Sequence, residues 1–213
     1  MKSKIKAVIF DVGGVLRIRK RLKRQKHKST HGYAAEKFGL SLDSWFDTID
    51  NAYPKSMEGQ ISDKDAIKIL ASNLKTTSTY LTKLFGRLYN KHLKKNKKLY
   101  KIAFKLKKKE ILIGILSDQW ALSKPSLMPE KDIKDFDVVV VSNEVGMRKP
   151  NPKIYRFLMQ KLKKKNKSLR YKEIVFIDNR DYNLKPASKL GMKTILFKNN
   201  KQCISELRKL RIL

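Results

Sequence analysis

One cysteine, Cys203, is all the chain contains, so there is no partner for an internal disulfide and no company of thiols for a metal site. A reducing cytoplasm is the expected setting. No stretch of eighteen apolar residues occurs, and Met1-Lys2-Ser3-Lys4 leads straight into a strand-like segment instead of the apolar stretch of a signal peptide. The expectation is a soluble, unprocessed protein with no membrane contact. Internal repeats are missing as well. Acidic residues are scarce: 19 Asp and Glu against 51 Lys and Arg give a formal charge of +32. A field of that size draws polyanions and steers anionic substrates. Nucleic acid is therefore a candidate partner, set against the plainer account of lysine bias on solvated helix faces.

What is present suffices for a core, since 41% of the 213 residues are apolar. Five short runs rich in Val, Ile and Leu read as buried parallel strands: Ala7 to Phe10, Ile111 to Leu116, Val138 to Val141, Ile174 to Ile177 and Thr194 to Phe197. Helical spacing lies between most of them. Leu99, Ile102, Ala103 and Leu106 precede the second run, Ile154, Phe157, Leu158 and Leu162 follow the third, and Leu184, Ala187 and Leu190 follow the fourth, ending at Gly191. This alternation predicts an α/β fold with a Rossmann-like, doubly wound parallel sheet.

About a hundred residues separate the first run from the second, with no convincing strand among them. A small helical cap inserted at residues 17–95 is the economical reading, leaving 1–16 and 96–213 as the core. Ser41-Leu42-Asp43 and Ile61-Ser62-Asp63-Lys64-Asp65 look like helix starts, and Leu81, Leu84, Phe85 and Leu88 form an apolar stripe. Three tracts are dense in lysine. Lys91 to Lys109 and Lys161 to Lys172 keep intact apolar stripes and read as solvated helix faces. Arg17 to Lys28 has only Ile18 and Leu22 as apolar members and directly follows Asp11, which places it at the mouth of any site there.

Candidate site residues fall at strand ends, where open α/β sheets bind ligands. Asp11 ends the first run and is followed by Gly13-Gly14, whose small size lets backbone approach a phosphate; its carboxylate could attack phosphorus in line. The bland reading is a residue capping a tight turn. Ser117 could donate to a phosphoryl oxygen, and Lys149, on the loop after Val138 to Val141, could neutralise developing charge. Alone, each is an ordinary turn former or solvated lysine. Asp178 and Asn179 offer oxygens suited to magnesium, with a helix N-cap near Tyr182 as the structural alternative.

Together, Val8-Ile9-Phe10-Asp11-Val12-Gly13-Gly14-Val15-Leu16, Ile115-Leu116-Ser117, Gly146-Met147-Arg148-Lys149-Pro150, Phe176-Ile177-Asp178-Asn179, Asn183-Leu184-Lys185-Pro186-Ala187 and Leu190-Gly191-Met192 resemble the haloacid dehalogenase (HAD) superfamily of hydrolases. Glu58-Gly59-Gln60-Ile61-Ser62 looks like a segment common in its helical caps. The chain is most similar to the branch holding small sugar-phosphate phosphatases and the N-terminal phosphatase domain of soluble epoxide hydrolases. The resemblance implies a Mg2+-dependent phosphatase of small phosphorylated substrates. In it Asp11 forms an aspartyl-phosphate, while Ser117 and Lys149 hold the phosphoryl group, beside Gly13, Gly14 and Asp118. The implied metal ligands are Asp11, the carbonyl of Gly13, and Asn179 with Asp178 beside it.

The family pattern is broken at three positions. Its general acid, two residues after the nucleophile, is Gly13 here; that loss would be felt most with poor leaving groups, because proton transfer is worth about 10²–10⁴-fold. The second acid of the fourth motif is Asn179, which weakens magnesium unless Asp181 or water compensates. Asp118 stands where asparagine is common. Two other readings compete: a nucleic-acid-associated protein, or nucleic-acid-end phosphatase, using the Arg17 to Lys28 tract, and a metal-independent dehalogenase, against which Asp178 argues. Neither substrate identity nor oligomeric state is legible.

Overall fold

The computed structural model describes residues 4–20 and 29–213. Its strands are β1 (Ala7–Phe10), β2 (Arg17–Arg19), β3 (Leu93–Lys95), β4 (Leu112–Ser117), β5 (Val138–Val141), β6 (Ile174–Asp178) and β7 (Lys193–Leu196). Between β2 and β3 lie α1 (Thr30–Lys37), α2 (Leu42–Ile49), α3 (Tyr53–Met57), α4 (Asp63–Asn73) and α5 (Ser78–His92). The remaining helices are α6 (Lys97–Lys107), α7 (Lys124–Leu127), α8 (Glu130–Ile133), α9 (Ser142–Val145), α10 (Pro152–Lys163), α11 (Asp181–Lys189) and α12 (Asn200–Lys209). No helix among the described residues is long and apolar enough to cross a membrane.

Five strands make one parallel sheet in the order β5-β4-β1-β6-β7. β1 is central and buried on both faces, which is why it is an unbroken apolar run instead of an alternating one. Successive side chains still point to opposite faces. Val8 and Phe10 join one apolar cluster with Leu99, Ala103 and Leu106 of α6, while Ala7 and Ile9 join the other with Ile154, Tyr155 and Leu158 of α10. The chain moves from β1 outward to β4 and β5, then crosses back to β6 and β7, so the order reverses beside β1. The crevice of such a sheet opens there, at the carboxyl ends of its strands.

The five expected strands stand within one residue of their predicted positions. The insertion differs from an all-helical cap, because residues at both of its ends are strands. β2 and β3 pair antiparallel, Arg17 opposite Lys95 and Arg19 opposite Leu93. Their sequences, Arg-Ile-Arg and Leu-Lys-Lys, are three residues each and mostly charged, too short to carry a period-two pattern. Within the insertion, Ser41 and Ser62 cap α2 and α4 by accepting from the amides of Ser44 and Asp65 at 3.1 Å. Trp45, Ile49, Leu81 and Phe85 continue the apolar cluster of the first sheet face. Lysines 97, 98, 101, 105, 161, 163 and 164 are exposed, opposite buried stripes on α6 and α10. Residues 21–28 of the first basic tract lie outside the described residues.

The turn after α3 rests on the loop after β5. Gly59 has φ +62°, and a Cβ there would meet the Asn143 carbonyl oxygen at 2.3 Å. Glu58 pairs with Arg148 at 2.9 Å beside it, and the Ser56 hydroxyl accepts from the Ala121 amide at 3.0 Å. Gly59→Ala is expected to lower the melting temperature: left-handed backbone alone costs an L-residue about 1–2 kcal/mol, before the methyl displaces Asn143. Thermal denaturation checks this, and an unchanged transition would mean that this turn is not held against the core.

Candidate active site

Asp11 follows β1, and its amide donates to the Ile177 carbonyl at 2.9 Å. With Phe10 opposite Ile115 and Ile177, the next residue of β1 stands level with Leu116 and Asp178. Sheet register alone thus brings the ends of β1, β4 and β6 together. The chain then turns sharply, with the Gly14 amide donating to the Arg17 carbonyl at 2.7 Å and the Arg17 amide to the Val12 carbonyl at 2.8 Å. Gly14 has φ +90°, and a Cβ on it would meet Asn179 Nδ2 at 2.5 Å. Glycine is favoured there by the backbone angle, and it lets the exposed Asn179 amide lie against the turn. Gly13 is different, because a Cβ there would meet nothing within 4 Å. Its side-chain space is open.

Lys149 reaches in from the loop after α9. Its ammonium lies 2.8 Å from Asp11 Oδ1 and 2.8 Å from Asp178 Oδ2, and donates to the Leu116 carbonyl at 3.3 Å. All three side chains are buried. Burial works against the ammonium, but Asp11 and Asp178 outweigh it and raise its pKa. Asp11 is pushed up to about 6 by burial, with Lys149 opposing and the like charge of Asp178 assisting. One ammonium shared by two carboxylates leaves net negative charge in a place that solvates it poorly.

Asp178 is fully enclosed. Beyond Lys149, it accepts from the Arg180 amide at 2.8 Å on Oδ1 and from Asn183 Nδ2 at 3.0 Å on Oδ2. It organises the turn into α11, whose N-cap position is Arg180, as well as the buried charge. Asn183 Oδ1 is buried with no hydrogen-bond partner among the described residues. Asn179 is exposed under the Gly14 turn. Asp181, the residue placed to compensate for it, instead pairs with Lys185 at 3.1 Å with its side chain largely exposed. Ser117 is fully buried at the end of β4, where its hydroxyl accepts from Gln119 Nε2 at 2.8 Å. Asp118 accepts the Lys149 amide at 3.1 Å, and burial raises its carboxyl above the usual value against the pull of Lys149.

Among the described residues, no three His, Cys, Asp or Glu side chains cluster for a metal. The available donors are two carboxylates, the Asn179 side-chain oxygen and the Gly13 carbonyl, with the unpartnered amide oxygen of Asn183 near Asp178. These are hard oxygen donors around uncompensated negative charge, which fits magnesium with one carboxylate fewer than a strong site offers.

A cavity of about 320 Å³ opens over Asp11, lined by Asp11, Gly13, Asp118 and Lys149 below and by Tyr53 and Met57 of α3 above, whereas Ser117, Asp178 and Asn179 are not among its lining residues. Arg148, Pro150, Arg180, Tyr182 and Asn183 complete it. Of these, Tyr53, Arg148, Arg180 and Asn183 did not stand out as site residues in the sequence. Asn183 carried a faint signal, one helical turn beyond the Asp178-Asn179 pair, whereas an arginine beside a motif says little in so basic a chain.

A haloacid dehalogenase-like hydrolase model matches residues 8–197, and the chain belongs to that family of hydrolases. It is 30% identical over 176 residues to bifunctional epoxide hydrolase 2 of Mus musculus, covering 80% of this chain and 28% of that protein. The chain thus spans well under half the length of that curated relative, as it does of the epoxide hydrolase 2 proteins of Rattus norvegicus and Sus scrofa. In fold it is similar to a predicted HAD-like family hydrolase from Porphyromonas gingivalis, with a TM-score of 0.75, 20% identity and 98% of each chain covered. A HAD family enzyme from Bacteroides thetaiotaomicron, solved as a magnesium complex, aligns with a TM-score of 0.68 and 22% identity over 95% of this chain and 99% of that one.

The raised pKa of Asp11 has a consequence for stability. A carboxyl that titrates at about 6 when folded and near 3.9 when unfolded favours the folded state fully below the unfolded value, and that contribution is lost as pH rises through about 6. In metal-free buffer at pH 7 to 8, Asp11→Asn is therefore expected to melt several degrees above the natural chain, at about 2–4 °C per kcal/mol for this length. The gap should close on acidification toward pH 4. A natural chain that melts higher at pH 7 would mean that Lys149 fully compensates the ionised carboxylate.

Proposed function

We propose that this hydrolase is a magnesium-dependent phosphatase of small phosphorylated metabolites, working through an aspartyl-phosphate on Asp11. The observation that carries the reading is the Lys149 ammonium 2.8 Å from both Asp11 and Asp178 at the floor of a cavity roofed by α3. A phosphate entering that cavity meets a carboxylate as nucleophile and the cations of Lys149, Arg148 and Arg180. Fixed positive charge of this kind stabilises the oxygens of a transferring phosphoryl group. Asp11, the Gly13 carbonyl, Asp178 and Asn179 would hold magnesium, which supplies further charge neutralisation at those oxygens.

In the first step an Asp11 oxygen bonds to phosphorus, and the ester P–O bond breaks with its electron pair on the leaving oxygen. Water then attacks the same phosphorus, the bond from Asp11 oxygen to phosphorus breaks with its electron pair on the carboxylate, and the water's proton passes to the phosphate or to solvent, leaving inorganic phosphate. Lys149 keeps Asp11 oriented and supplies positive charge throughout, because Asp11 and Asp178 hold its proton firmly. No side chain at position 13 gives the leaving oxygen a proton. Esters of acidic leaving groups, namely acyl, anomeric and aryl phosphates, suit the site best.

Asp11→Asn is expected to abolish hydrolysis of p-nitrophenyl phosphate, and removal of divalent cation with a chelator to stop the natural chain; full turnover by the variant would overturn the reading. Gly13→Asp is expected to act in the other direction. The position has room for a side chain, and a general acid there should raise kcat/KM on alkyl phosphates by about 10²–10⁴-fold, with much less gain on the aryl ester. Equal gains on both esters, or none, would show that proton transfer is not what Gly13 withholds.

A further inference from the structure

We infer that the substrate carries a second oxyanion, held in a chamber beside the reaction cavity by Arg19, Lys20 and Arg180; this rests on the phosphatase reading. The chamber has a volume of about 290 Å³ and meets the reaction cavity at Gly13, Tyr53 and Arg180. Its walls come from β2, the start of α1 and the end of α5 on one side, and from Asn179 and Arg180 on the other. Among the described residues that line it, four are Arg or Lys and none is acidic.

One of those cations is already committed. Arg17 lies 2.5 Å from Asp132 and donates from Nε to the Leu127 carbonyl. The others have no carboxylate at ion-pair distance among the described residues. Lys20 donates to the Asn90 carbonyl at 2.6 Å and Arg180 to the Tyr182 hydroxyl at 2.5 Å, both neutral partners. Lysine outnumbers arginine 40 to 11 in the chain, yet two of the three cations here without a carboxylate partner, Arg19 and Arg180, are arginines. A guanidinium grips two oxygens of a phosphate or carboxylate at once, which a lysine does not.

The histidines of the chamber add donors, not charge. His31 Nδ1 accepts from Trp45 Nε1 at 3.0 Å, which leaves the ring proton on Nε2, and burial lowers its pKa to about 4. His92 stacks on Tyr33 at 3.9 Å and is lowered by burial, then by Lys91 and Lys20. A neutral polyol could bond to Ser29, Thr30 or Asn179 but would leave the cations of the wall without a counter-charge, whereas an oxyanion meets cations and N–H donors together. Arg180, at the junction, lies between the two anionic groups.

Equilibrium binding to the Asp11→Asn protein tests this without requiring turnover. The probes are glucose 1-phosphate, glucose 1,6-bisphosphate and glucuronic acid 1-phosphate, which differ only at C6. At least one of the two doubly anionic probes is expected to bind tenfold or more tightly than glucose 1-phosphate, and the pair distinguishes phosphate from carboxylate as the second group. Arg19→Ala with Lys20→Ala should reduce that preference to within twofold, while Lys163→Ala with Lys164→Ala, exposed at the C-terminal end of α10, should keep it. Equal affinities, or a preference that survives the first double substitution or falls equally with the second, overturn the inference. Tighter binding of a 5′-phosphorylated trinucleotide than of any of the three sugars, undiminished by Arg19→Ala with Lys20→Ala, would also overturn it. Hydrolysis of p-nitrophenyl phosphate by the natural chain is judged separately, so a failed second-anion site and a failed phosphatase reading are distinguishable.

Discussion

The ammonium of Lys149, set between two buried carboxylates, ties together three stretches of chain that are far apart in sequence. Asp11 arrives on the central strand, Asp178 on its neighbour, and Lys149 on a loop that folds back over the sheet. Removing one partner of a buried ion pair typically costs about 3–5 kcal/mol, because the other charge stays buried and unpaired. Here the imbalance is built in, since two carboxylates face one ammonium and Asp118 stands close by. The surplus negative charge would favour a divalent cation beside these hard-oxygen donors, while burial first, and the like charge of Asp178 after it, make Asp11 resist ionisation when folded.

That arrangement was readable from the sequence only so far as the sheet was readable. Buried parallel strands must be continuous runs of Val, Ile and Leu, and the five runs are. Once they align around β1, the residues ending β1, β4 and β6 converge without further information, which is why Asp11 and Asp178 could be placed together. Serine caps at Ser41 and Ser62 were legible for a similarly local reason, since the capping hydrogen bond spans three residues. The β2 and β3 pair was not. Its partners lie more than seventy residues apart, and each strand carries charges where a pattern would be needed.

The rest of the site was hidden by tertiary contact. Asn183 acquires meaning only because Asp178 takes one of its donors and nothing takes its oxygen. His31 reads as one of three histidines in a lysine-rich chain until Trp45 fixes its tautomer. Tyr53 and Met57 roof the cavity because α3 packs over the core, a placement that depends on the Gly59 turn meeting Asn143. Composition masks the arginines. In a chain of charge +32, the cations that face a cavity cannot be told from those that face water by counting.

The missing acid at Gly13 and the cationic wall next to it belong to one chemical solution. Breaking a phosphate ester puts negative charge on the departing oxygen, and that charge must be met either by a proton or by fixed positive charge. Position 13 has space for a proton donor and does not carry one. On the proposed chemistry, Arg180 and its neighbours stand on the side where the leaving group lies, at a mouth where Arg19 and Arg180 are themselves exposed, so their effect depends on the substrate displacing water when it binds. Positive charge placed there lowers the basicity of the departing oxygen without transferring a proton. The same charge would hold a second oxyanion on that leaving group, so specificity and leaving-group stabilisation would draw on one set of arginines.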